Sequence, residues 1–228
     1  IEQLCNAVTL RETNDIVLDF FSGSASTAHA VINCNRRDNG NRHFIMVQLP
    51  EKPELNKATF DFPVNSICDI GKERIRRVGK KIKAESSLTT KELDTGFRVL
   101  KLDDTNMNEV YYKPDDYSQG FLNQLESNIK EDRTDLDLLF GCLLDWGLPL
   151  SMSYSSEEID GCAVHNYNDG DLIACFEENI PDSVIKKIAK KQPIRAVFRD
   201  SSFANSPSKI NVGEIFKLMS PDTSVKVL

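Results

Sequence analysis

The sequence is poor in the residues that announce a metal or redox site. It has six cysteines and three histidines in 228 residues, and no two cysteines form a Cys-x-x-Cys pair. Cys5, Cys34, Cys68, Cys142, Cys162 and Cys175 stand far apart, as do His29, His43 and His165. The spacing therefore offers neither a zinc ligand set nor a disulfide framework, and the cysteines read as reduced small hydrophobes of a cytoplasmic protein. No apolar run approaches the roughly 20 residues of a membrane span and no signal-peptide pattern is present, so no membrane partner is expected. Positive charge is not in excess either: 28 Lys and Arg face 35 Asp and Glu, for a net charge of -7. No global field draws the chain to a polyanion, and any nucleic-acid contact has to be local. Internal repeats and low-complexity tracts are absent.

What is present is a core-forming composition, with 40% hydrophobic residues, enough for one large domain or two small ones. The opening "IEQLCNAVTL" reads as a helix entered partway, and Ile1 is no initiator methionine, which suggests a piece excised from a longer protein. From Asp15 the stretch "DIVLDFFSGSASTAHAVI" runs from β-favouring residues through an acid, aromatics and small residues into an alanine-rich amphipathic segment. That order predicts a buried strand over about 16–20, a tight loop, and a helix over about 27–35. "HFIMVQL", closed by Pro50, predicts a second strand, so the first elements form a parallel βαβ unit. A helix in "SICDIGKERIRRVGKKIKAE" and a third strand in "GFRVLKL", Gly96 to Leu102, extend this to three strands of a doubly wound sheet.

Beyond Asp104 the pattern changes. "DLDLLFGCLLDWG" predicts a packing helix with Leu136, Leu139, Phe140, Leu143 and Leu144 on one face. A boundary falls in the serine- and acid-rich "SYSSEEIDG". An Asp-Gly pair inside "AVHNYNDGDLIACFE" predicts a hairpin rather than a calcium loop. A helix in "PDSVIKKIAKK", a strand in "IRAVFRD" and a helix near "NVGEIFKLM" complete a small α/β unit. The expected organisation is residues 1–105, 106–160 as a helical connector, and 161–228.

The loop "FSGSAS" leaves almost no side-chain bulk to screen the amides of Gly23, Ser24, Ala25 and Ser26. The helix that follows offers unpaired N–H groups and a positive dipole end, which suits an anionic or carboxylate-bearing ligand. Close helix-on-strand packing through small residues is the structural alternative. A dinucleotide G-x-G-x-x-G reading fails at two of its three glycines, where Ala25 and Ala28 stand. A P-loop fails as well, because Gly71-Lys72 is followed by Glu73 and lacks the upstream glycine. What remains is Asp19-x-Phe21-x-Gly23-x-Ala25, in which the acid can accept from an ammonium group and the ring and bare backbone can border an adenosine.

Here "DFFSGSASTAHAV" resembles the S-adenosyl-L-methionine (AdoMet) motif of β-class DNA amino-methyltransferases, and above all the modification (Mod) subunit of type III restriction-modification systems. "RHFIMVQLPE", "ICDIGKERIRR", "GFRVLKLD" and "FRDSSFANSPSKINVGEIFK" carry the same resemblance over essentially the whole chain. The resemblance implies a partial Rossmann-like methyltransferase sheet in an α/β fold, followed by a small α/β assembly domain, in a DNA N6-adenine methyltransferase using AdoMet. It implies that Asp19, Phe21, Ser22, Gly23, Ser24 and Ala25 border the cofactor and that Ser26 and Thr27 lie near its carboxylate. Gln48 occupies the position from which the family usually offers an acid to the ribose, with Glu51 as a substitute, and Asp103 corresponds to the adenine side or is a turn acid. DNA, a second modification subunit and the restriction subunit are the implied partners.

The family's catalytic Asp-Pro-Pro-Tyr motif is missing, since the sequence holds no Pro-Pro pair, so no catalytic residue is assigned and this piece is expected to be inactive alone. A pure assembly module with a vestigial loop is the competing function. The basic run Lys72, Arg74, Arg76, Arg77, Lys80, Lys81 and Lys83 reads as a solvated helix face or as a phosphate-contacting one. Arg199 and Asp200 read as loop-bracing or interface residues.

Overall fold

The computed structural model describes residues 1–53, 60–85, 93–108, 128–203 and 206–228. Two compact units divide the chain, Ile1–Val99 and Leu100–Leu228.

The first unit is built on a parallel pair of strands. β1 (Ile16–Phe20) and β2 (His43–Val47) run in register from Ile16↔His43 to Phe20↔Val47. They are joined through α2 (Ser26–Asp38), and α1 (Glu2–Val8) and α3 (Ile67–Ala84) pack against that helix. Small residues make the packing close: Ala25, Ala28 and Ile32 meet Ile75, Val78 and Ile82 of α3, with Phe44 and Met46 of β2 beneath them. Cys5, Val31 and Cys34 join α1 to α2 over Val17. Arg42 ties the start of β2 to both helices, because its side chain, 2% exposed, meets Asp38 at 2.9 Å and Thr9 Oγ1 at 2.6 Å.

Among the described residues of this unit only one face of the sheet is covered. Ile16, Leu18 and Phe20 of β1 and Ile45 and Val47 of β2 are each between 42% and 63% exposed. Parallel strands are ordinarily buried on both faces, so this is an apolar surface of unusual kind. The third strand expected at 96–102 does not form: residues 93–105 have no regular secondary structure, and Leu102 is fully exposed. Alternation favoured a strand there, but a strand needs a neighbour, and none pairs with it among the described residues.

The second unit is a five-stranded mixed sheet in the order β3-β4-β5-β6-β7. Its strands are Tyr154–Ile159, Cys162–Tyr167, Leu172–Cys175, Arg195–Phe198 and Ser224–Val227. The first three are antiparallel and the last three parallel. α4 (Asp135–Asp145) covers one face, burying Leu138, Leu139, Cys142 and Leu143 against Tyr167, Leu172, Ala174 and Val197. α5 (Asp182–Lys190) and α6 (Ser206–Met219) cover the other, where Val184, Ile185, Ile188, Val212 and Phe216 meet Val164, Ile173, Cys175 and Phe198. β5, buried on both faces at all four positions, is the centre of the unit.

The expected packing face of α4 is corrected. Leu136 and Leu144 are exposed, and the helix turns Leu138 and Cys142 inward. A helix this rich in leucine has two plausible stripes, and the sheet selects between them. The serine-rich stretch read as a boundary is strand β3, joined to β4 by Asp160 (φ 50°) and Gly161 (φ 83°). Both turn residues have positive φ, the geometry that matches the twist of a two-residue hairpin. The expected hairpin at 168–171 also forms, through a short 3-10 turn, Asn168–Gly170. Among the described residues no helix is long and apolar enough to cross a membrane. Among the same residues no group of three His, Cys, Asp or Glu side chains could hold a metal.

Candidate functional site

β1 ends in a loop whose backbone alternates in hand. Phe21, Gly23 and Ala25 have φ of 59°, 53° and 56°, all in the left-handed region. For Phe21 and Ala25 that conformation is uncommon and costs energy, so something must hold it. Two bonds come from the β2 side: Ser22 N donates to Val47 O at 3.1 Å and Gly23 N donates to Gln48 Oε1 at 2.8 Å. Ala25 N closes back on Ser22 O at 2.8 Å. Gly71 of α3 presses from behind; a Cβ there would stand 3.3 Å from Ala25 Cβ and 3.4 Å from Gly23 O. A Cβ at Gly23 would meet nothing within 4 Å, so open space lies in front of that backbone.

Asp19 closes the strand beside this loop. Its Oδ2 accepts from Thr27 Oγ1 at 2.5 Å, and its other oxygen has no hydrogen-bond partner among the described residues. Phe21, 75% exposed, projects from the loop. α2 starts without a side-chain cap, so the amides of Ser26 and Thr27 in its first turn are free to meet a ligand. His29, on the next turn, has its pKa held below the ordinary histidine value, first by burial and then by the charge of Arg74.

The structure thus brings together Asp19, Phe21, Ser22, Gly23, Ser24, Ala25, Ser26, Thr27 and Gln48 at the carboxyl ends of two parallel strands, where open α/β sheets bind ligands. Gln48 is engaged in bracing the loop. Glu51 lies further along the same segment and gives its carbonyl to Ile67 N at the head of α3. Asp103 belongs to the second unit, on irregular backbone, 3.8 Å from the Arg133 guanidinium.

The basic run on α3 is largely neutralised where it stands. Lys72 pairs with Asp69, Arg76 and Arg77 with Glu73, and Lys81 with Glu85. The apolar stripe Ile75, Val78 and Ile82 is buried as expected. One member behaves differently: Arg74 Nη2 donates to Ser24 Oγ at 3.1 Å. Fifty residues separate the two, and the only sequence signal was the Gly71 that lets the helix approach. Arg199 reaches Glu178 and Asp200 pairs with Lys209, both bracing contacts.

No protein-family model matches the chain. Among curated proteins, a stretch of 87 residues is 39% identical to the type III restriction-modification enzyme StyLTI Mod subunit of Salmonella typhimurium, covering 38% of this chain and 13% of that protein. The EcoP15I Mod subunit of Escherichia coli and the EcoPI Mod subunit of Escherichia phage P1 match at the same identity and the same share of this chain, over 12% and 13% of their lengths. The matched stretch is shorter than the whole-chain resemblance expected from the motifs, and it spans about one eighth of these relatives.

Proposed function

We propose, with kinship to type III Mod subunits as the premise, that this chain is the AdoMet-binding and assembly portion of a DNA N6-adenine methyltransferase of a type III restriction-modification system. AdoMet supplies the methyl group. Asp19 and the 21–27 loop hold the cofactor. The observation that carries the reading is the left-handed loop after β1, with open backbone at Gly23, a free carboxylate oxygen at Asp19 and uncapped amides at Ser26 and Thr27. A donor-rich turn beside a lone carboxylate suits a zwitterion, with amides for its carboxylate and Asp19 for its ammonium.

Gln48 fits the ribose role less well. Its Oε1 is spent on Gly23 and its Nε2 on Leu49 O at 3.3 Å. It also supports the loop, and this bracing favours a non-catalytic assembly role as the second reading. In either case the partners of the whole cytoplasmic protein are DNA, a second modification subunit and the restriction subunit.

An extruded adenine needs a polar acceptor for its amine and a ring to stack on, and the sequence has no Asp-Pro-Pro-Tyr to supply them. The chain alone therefore binds cofactor without turnover. Incubation with radiolabelled AdoMet and duplex DNA, beside calorimetric titration with S-adenosylhomocysteine, tests both halves. Saturable binding without label in DNA is expected. Labelled DNA would overturn the inactivity, and lack of binding would leave the assembly reading.

A further inference from the structure

The four cations Lys72, Arg76, Arg77 and Lys81 of α3 each have a carboxylate between 2.6 and 3.9 Å away. Arg74, half-buried on the same helix, has no carboxylate partner among the described residues, and its Nε is buried without any hydrogen-bond partner. A guanidinium does not shed its charge in a protein. A desolvated one without a counter-ion is costly, and an anion nearby relieves it. Burial, and after it the charge of Arg74, holds the His29 pKa below its ordinary value at the start of α2.

The bond Arg74 does make points toward the loop. Ser24 Oγ accepts from Arg74 Nη2, so the hydroxyl's own proton is left to donate, and it is polarised by the charge behind it. Beside it stand the amides of Ser24, Ser26 and Thr27, none with a partner among the described residues. An uncompensated cation, a polarised hydroxyl and uncapped amides converge on one small region.

We infer that Arg74 is a positioning residue for the carboxylate of the cofactor's amino-acid tail, holding Ser24 so that its hydroxyl proton and the neighbouring amides meet that carboxylate. The inference rests on the AdoMet reading above and adds to it the part of the ligand that α3 senses.

The test compares two ligands by calorimetry. S-adenosylhomocysteine has the amino-acid tail; 5′-methylthioadenosine has the adenosine and the thioether but no tail. Arg74→Met weakens S-adenosylhomocysteine by about tenfold, the scale of one charge-assisted bond, and leaves 5′-methylthioadenosine unchanged. Arg74→Lys recovers part of the loss. Ser24→Ala reproduces the selective loss, and it decides the matter should Arg74→Met melt below the assay temperature. Equal weakening of both ligands, or of neither, would overturn the inference while the cofactor reading stands. A folded wild-type chain that binds neither ligand would overturn both.

Discussion

Gly23 N donates to Gln48 Oε1 at 2.8 Å across the ends of the two parallel strands. The residue expected near the ribose also fixes the backbone of a residue expected to border the cofactor. Gln48→Ala leaves that amide unpaired in a loop already carrying three left-handed residues. The expected cost is about 1 kcal/mol in urea unfolding, with weaker S-adenosylhomocysteine binding. An unchanged midpoint and affinity would remove Gln48 from the support of the loop.

Thr27 and Asp19 make a second testable pair. Thr27→Val keeps the shape and deletes the donor to Asp19. Stability should fall by about 1 kcal/mol, while ligand binding survives because the carboxylate itself remains. Loss of binding equal to that of Asp19→Ala would mean that the threonine, rather than the acid, carries the contact.

The buried Arg42 predicts a pH dependence. The Arg42 guanidinium holds the Asp38 carboxyl below its ordinary range, and burial opposes this only in part. A depressed folded pKa stabilises the folded state above the unfolded value of about 4, and the contribution is lost as the pH falls through the folded value. Asp38→Asn should therefore be destabilised at neutral pH, by about 2 to 3 kcal/mol because Arg42 is left without its counter-charge. It should also show a shallower acid limb in denaturation. A variant as acid-sensitive as the parent would contradict this.

The uncovered face of Ile16, Leu18, Phe20, Ile45 and Val47 predicts association. Parallel strands this exposed attract apolar partners. Sedimentation should show mass rising with concentration, and Leu18→Lys with Ile45→Lys should lower it without changing the helix signal. A wild-type chain that stays monomeric across the concentration range would contradict the prediction.

β1, β2, α2 and α3 were legible because each carried its own period: alternation or a continuous run for the two strands, a buried stripe for the two helices. The misreadings share a cause, which is that pairing decides what local pattern leaves open. "GFRVLKL" has a strand's alternation and no partner among the described residues, so it stays irregular. "YSSEEI" has almost no apolar content and is a strand, because the Asp160-Gly161 turn lays it along β4. β7, four residues long, went unseen because its strand character comes from pairing with β6. The loop itself could be read from its small residues. Its supports, Gln48 and Arg74, lie 25 and 50 residues away, and nothing in the sequence beyond Gly71 pointed to either contact.

The most direct measurement is calorimetric titration of the chain and its Asp19→Ala variant with S-adenosylhomocysteine. The account predicts saturable one-site binding by the parent that disappears in the variant, with both proteins folded. Binding that is indifferent to Asp19, or no binding by the folded parent, would contradict it.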